Sequence, residues 1–88
     1  MHNRENKLIL EDTLNQIYNN NNFFDGGMKE FFFQNIQIIS INNTCIYVPK
    51  NGCIKITLFA DEMIVKVENV PWRIKYIHLN DFIIHCED

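Results

Sequence analysis

The sequence predicts an α+β fold, an N-terminal amphipathic helix packed on a five- or six-stranded antiparallel β-meander that either stays open or curls into a small barrel. Three observations point there. Leu10, Leu14, Ile17 and Tyr18 recur at helical spacing, with Glu11, Asp12, Asn15 and Gln16 on the other side. From Asn35 onward the pattern turns to period two, broken at short intervals by turn-forming residues. Fourteen isoleucines against a single alanine favour strand over helix.

The helix is expected over about residues 5–20, ending in the run Asn19–Asn22, which suits a helix terminus better than an interior. Asp25-Gly26-Gly27 reads as a loop and Met28–Phe33 as a short second helix whose aromatics join the core. Phe31, Phe32 and Phe33 cannot all point one way; either one ring is exposed or, as the simpler account, they pack in the core about a hinge. Asn51-Gly52 is the strongest hairpin signal, since both residues accept the positive φ of a type I′ turn. Asn42-Asn43, Ala60-Asp61, Val70-Pro71 and Asn80-Asp81 are further turns, giving six strands at about 35–41, 44–50, 53–59, 62–69, 72–79 and 82–87.

Two-residue turns fix a register. Leu58 should pair with Met63, Ile56 with Val65 and Ile54 with Val67. Carried outward, this places Ile36, Ile38, Cys45, Tyr47, Ile74 and Tyr76 on the same face, with Trp72 near Tyr76, all under the helix. The opposite face mixes Ile39, Ile41, Ile46, Val48, Phe59, Ile64, Ile77, Leu79, Phe82 and Ile84 with Lys55, Thr57, Lys66, Glu68, Arg73 and Lys75. Either barrel closure or a partner must cover so much apolar surface.

Eighty-eight residues make one small domain. The net charge of −3 is too mild for a generally cationic nucleic-acid binder. Cys45, Cys53 and Cys86 form no CxxC pattern and read as reduced thiols. Leu8-Ile9-Leu10 is cut short by Glu11-Asp12, so no export signal is read, and polar residues interrupt the uncharged stretch Phe31–Val48 too often for a membrane span. The expected location is the cytoplasm, with no membrane partner. Thirteen asparagines beside the isoleucines fit AT-rich codons and a bacterial or phage source.

No catalytic constellation, cofactor site or metal site is read from the sequence. His78 and His85 share a face in the expected register while Cys86 points away, which gives neither a zinc ligand set nor a Cys-His dyad. Gly26-Gly27 lacks phosphate-loop spacing. Ile36–Ile41 leading into Ile46-Tyr47-Val48-Pro49 resembles the N-terminal interaction domain of bacterial replication initiators. That family continues into a helix where this chain reads as the strand Cys53–Phe59, and the resemblance adds nothing to the expected function.

The remaining signals concern binding. Lys55, Lys66 and Lys75 are expected side by side across three strands, flanked by Arg73, at some cost in like-charge repulsion. They either present a basic strip or fan their amines apart over apolar surface. The function expected is a non-enzymatic binding protein, a small bacterial or phage inhibitor: an immunity protein against a toxin nuclease, or an anti-defence protein of the anti-CRISPR type. It would occlude its target through Lys55, Ile64, Lys66, Arg73, Lys75 and Ile77. Asp61, Glu62, Asp81 and the tail Glu87-Asp88 could mimic phosphate toward a basic cleft. The alternatives are a nucleic-acid-associated module using the basic face and a structural protein, such as a homodimer, joined through it.

Overall fold

The protein is described here over residues 3–86 of a computed structural model. Helix α1 spans Asn3–Asn19, and seven strands follow: β1 Lys29–Gln34, β2 Ile38–Ile41, β3 Thr44–Tyr47, β4 Cys53–Leu58, β5 Glu62–Val67, β6 Val70–Lys75 and β7 Phe82–Ile84. A 3-10 turn, Tyr76–His78, lies between β6 and β7. The strands are all antiparallel and form two sheets, β1-β4-β5-β6 and β3-β2-β7. This is an α+β fold, and its sheets are not closed into a barrel.

Helix α1 ends as its asparagines predict. Asn22 N–H donates to Ile17 O at 2.7 Å, and Asn21 takes the left-handed φ of 62°. That is the six-to-one bond of a Schellman cap, with Asn in the position usually given to glycine. The helix buries Leu10, Thr13, Leu14 and Ile17 in a core shared with both sheets, while Tyr18 is 42 % exposed.

The second helix expected over Met28–Phe33 is a strand. Its three phenylalanines alternate: Phe31 and Phe33 are buried and Phe32 is 43 % exposed, as a period of two requires. β1 pairs with β4 along its whole length, with Phe31 opposite Ile56 and Phe33 opposite Ile54. The expected β4–β5 register holds, Leu58 facing Met63, Ile56 facing Val65 and Ile54 facing Val67. All six of those side chains are buried.

The single meander is where the expectation breaks. Asn51-Gly52 does not close a hairpin between β3 and β4, because those strands belong to different sheets. Asn51 has φ 65° and Gly52 N–H donates to Pro49 O at 2.8 Å, making a tight turn where the chain crosses between sheets. Gly52 is needed there for space: a Cβ would stand 2.7 Å from Pro49 O and 2.8 Å from Val48 Cγ1. Face parity passes only along a continuous ladder, so β2 and β3 are not bound by the parity of β4. Ile39, Ser40 and Ile41 are the buried residues of β2, Ile38 is half-buried, and Cys45 and Tyr47 are exposed.

Two further turns move. The β5–β6 loop is Glu68-Asn69, with φ 50° and 68°, in place of Val70-Pro71. Lys66 therefore faces Pro71 instead of Lys75. The pairing slips by an even number of residues, so the faces are preserved. Trp72 does share a face with Val65, directly opposite it, but at the sheet edge it stays 41 % exposed instead of entering the core. The segment after β6 does not continue as a strand to Asn80-Asp81. β7 leaves the meander and pairs with β2, Ile84 opposite Ile39. Asn42, itself in the left-handed β2–β3 turn, clamps this segment: its Nδ2 donates to His78 O at 2.9 Å and its Oδ1 accepts from Asn80 N–H at 2.8 Å and Asp81 N–H at 3.2 Å.

Candidate functional site

The face of the four-stranded sheet turned away from the core carries most of the predicted binding residues. Strand pairing sets two of its cross-strand rows: Glu30, Thr57, Ile64 and Arg73, then Phe32, Lys55, Lys66 and Pro71. Within those rows only Thr57 is buried; Lys55 and Ile64 are half-buried and the others exposed. A hollow of about 250 Å³ opens on this face between Phe32, Cys53, Lys55, Lys66, Glu68 and Asn69.

The basic strip is shorter than expected. Lys55 and Lys66 are direct cross-strand neighbours, but Lys75 lies opposite Glu62 and Arg73 opposite Ile64. Lys55 relieves the repulsion by leaning toward β1, where Nζ is 3.2 Å from Glu30 Oε1 and 5.8 Å from the centroid of the Phe32 ring. Arg73 closes on Glu62 through Nε at 3.1 Å and Nη2 at 2.8 Å. Both ion pairs are surface pairs of small energetic value, but they fix where the charges point. Among the described residues, Lys66 and Lys75 have no ion-pair partner.

The apolar side chains expected on this face are mostly elsewhere. Ile39, Ile41, Val48, Leu79 and Ile84 are buried in the common core, brought there by the second sheet. Ile46 and Phe82 are half-buried against the same core, Phe59 and Ile64 are half-buried, and Ile77, beyond the end of β6, is 66 % exposed; Phe32 adds an exposed ring to the face that was not expected there. Glu62 is committed to Arg73; Asp61 is exposed, and its carbonyl accepts from Tyr76 N–H at 3.1 Å. Asp81 lines a second groove with Glu11, Leu14 and Tyr18, where burial, with the Asp81 carboxylate adding to it, raises the Tyr18 phenol above its ordinary pKa. The acidic tail Glu87-Asp88 lies outside the described residues.

His78 and His85 are both exposed and on segments that no longer pair with each other. Among the described residues no three His, Cys, Asp or Glu side chains gather as metal ligands, and no helix is long and apolar enough to cross a membrane. Sequence reasoning missed the exposed β6 residues Val70 and Trp72, 56 % and 41 % exposed. The signal for them was present in Pro71, which marks an edge strand. Compared with protein-family models, curated proteins and solved structures, the chain matches none.

Proposed function

We propose that this chain is a non-enzymatic protein-binding module, and in its more specific form a small inhibitor that occludes a protein target such as a nuclease or toxin. The observation that supports a protein target is the charge arrangement on the outer sheet face. Glu30 holds Lys55 and Glu62 holds Arg73, so two of its four cations are already neutralised in place. A surface built to follow phosphates leaves its cations free. A mixed, locally compensated surface around Phe32 and Ile64 suits the polar and apolar patches of a folded protein.

A nucleic-acid-associated role is the second reading, favoured by the exposed Phe32 beside Lys55 and Lys66, an aromatic platform with adjoining cations. Salt separates the two readings. Phosphate contacts give an affinity that falls steeply with salt, whereas a protein partner held through compensated pairs gives a shallow dependence. The decisive variant is Ile64→Glu, which places a charge in the middle of the face. A folded Ile64→Glu protein that no longer retains the partner captured by the wild type from its native host supports the proposal. If folding, oligomeric state and partner binding are all unchanged, the face has no role.

A further inference from the structure

The four-stranded sheet has two edges, and the chain treats them differently. At the β1 edge helix side chains occupy the outward backbone groups of Gln34 and the carbonyl of Phe32. Asn3 Nδ2 donates to Gln34 O at 2.6 Å, Gln34 N–H donates to Asn3 Oδ1 at 3.2 Å, and Asn6 Nδ2 donates to Phe32 O at 2.9 Å. The Asn3 amide makes with Gln34 the two-way pair that another strand would make. At the β6 edge, among the described residues, no side chain or loop bonds the backbone of Pro71 or Arg73 from outside.

The hairpin shows which β6 groups are free. Val67 and Val70 flank the two-residue loop Glu68-Asn69 and so form the hydrogen-bonded pair that closes it. Alternation turns the backbone of Trp72 and Ile74 toward β5 and that of Pro71 and Arg73, with the N–H of Lys75, outward. The bond from Tyr76 N–H to Asp61 O at 3.1 Å continues the same parity. Pro71 is where this predicts a proline can stand, at a position whose nitrogen has no ladder bond to give.

We propose that this edge accepts an extended antiparallel strand from another protein, acidic where it faces Arg73 and Lys75 and apolar where it faces Trp72. Backbone bonds would run through Pro71 C=O, both groups of Arg73 and Lys75 N–H, a strand-addition mode of recognition. Charge selects the acidic pattern: on one side of the edge Lys66, Arg73 and Lys75 outnumber the carboxylates of Glu62, which holds Arg73, and Glu68, which lines the outer hollow with Lys66. Opposite charges across a strand pair stabilise it and like charges do not. Charge also disfavours a second copy. The two-fold pairing that uses all the free groups sets two Arg73 side chains against each other, and the next register sets Arg73 against Pro71, which cannot return its bond. The inference concerns the edge backbone and stands or falls separately from the role of the outer face.

Trp72, the only tryptophan, is a built-in probe. The full chain is titrated with a short end-capped peptide of alternating glutamate and valine, and with its lysine–valine counterpart. A saturable Trp72 fluorescence change with the acidic peptide alone, together with slowed amide exchange at Arg73 and Lys75, supports the proposal. Lys75→Glu should weaken that peptide at least about tenfold and admit the basic one. Arg73→Pro should abolish binding while keeping the far-ultraviolet circular dichroism; if it unfolds, Lys75→Glu alone decides. No saturable response at about millimolar peptide, equal binding of both peptides, or protection away from β6 would overturn the inference. So would a dimer of the free chain with the Arg73 amide protected, which would mean that the edge is taken by a second copy.

Discussion

Replacing Asn3 tests whether the β1 edge is closed by helix side chains. Asn3→Ala removes the 2.6 Å donor to Gln34 O and the 3.2 Å acceptor for Gln34 N–H in one step. Leaving buried backbone groups without partners costs about 1–3 kcal/mol. Asn3 is 9 % exposed but Gln34 is open to water, which re-solvates part of the loss and puts the expectation near the lower end, at about 1–2 kcal/mol. For a chain of this size each kcal/mol is roughly 4–8 °C in melting temperature. Asn6→Ala, which loses one exposed bond of 2.9 Å, should cost about 0.5–1 kcal/mol. Asn3→Asp is the diagnostic variant. It keeps the acceptor but sets a carboxylate oxygen against Gln34 O, so it should be no better than alanine at neutral pH and recover as acid protonates it. Its folded pKa is raised, so the recovered stability is present below the ordinary carboxyl range and lost as pH rises through the raised value. Urea unfolding followed by Trp72 fluorescence gives the energies, and sedimentation velocity reads the second consequence, association through the uncovered edge. An Asn3→Ala protein as stable and as monodisperse as its parent would refute the account of the capped edge.

Four further outcomes follow from particular contacts. Tyr76 is buried and donates its hydroxyl to Phe59 O at 2.7 Å; burial, followed by the Asp61 and Glu62 carboxylates, holds its phenol well above the ordinary value near 10. The folded chain therefore binds that proton more tightly, so stability should be full below the ordinary tyrosine pKa and fall as pH climbs past it; Tyr76→Phe should flatten that alkaline slope in urea titrations. Glu68 is the one left-handed non-glycine residue among those described that is not asparagine, at φ 50°, and Glu68→Asn should stabilise by about 0.5–1 kcal/mol in calorimetry. Gly52→Ala drives a Cβ onto Pro49 O and should lower the melting temperature even though Gly52 does not itself have positive φ. Asn42→Ala should selectively speed amide exchange at Asn80 and Asp81, whose N–H groups it currently holds; unchanged exchange there would remove the clamp from the explanation.

The helix and the β4–β5 hairpin were legible because each rests on signals within one segment: the spacing of Leu10, Leu14 and Ile17, and the alternation that brings Leu58 to Met63. The β5–β6 faces also came out as expected despite a misplaced turn, since the pairing slipped by an even number of residues. What could not be read was which strands leave the sheet. An asparagine-glycine turn has the same local chemistry whether it closes a hairpin or turns the chain from one sheet to the next. The choice at Asn51-Gly52 lies in long-range pairing, β1 taking the place beside β4 that β3 was expected to fill. The candidate site suffered from the same error. Lys55, Ile64, Lys66 and Arg73 do share the outer face, but Lys75 lost its lysine neighbour and the extra isoleucines went to the second sheet.

Left-handed asparagines also give this protein a chemical memory. Asparagine followed by glycine is prone to ring closure, in which the glycine nitrogen attacks the side-chain amide carbon, ammonia leaves, and the resulting succinimide opens to aspartate or isoaspartate. In the folded chain Gly52 N–H is committed to Pro49 O at 2.8 Å and Gly52 is buried, so its nitrogen is held out of that reaction. Unfolding releases it. Isoaspartate at position 51, read by peptide mapping, should therefore accumulate with the time a molecule spends unfolded more than with its age. Each event also places a new negative charge, and in isoaspartate an extra backbone carbon as well, in the tight turn that carries the chain from one sheet to the other, so a molecule that has lingered unfolded is less able to fold again.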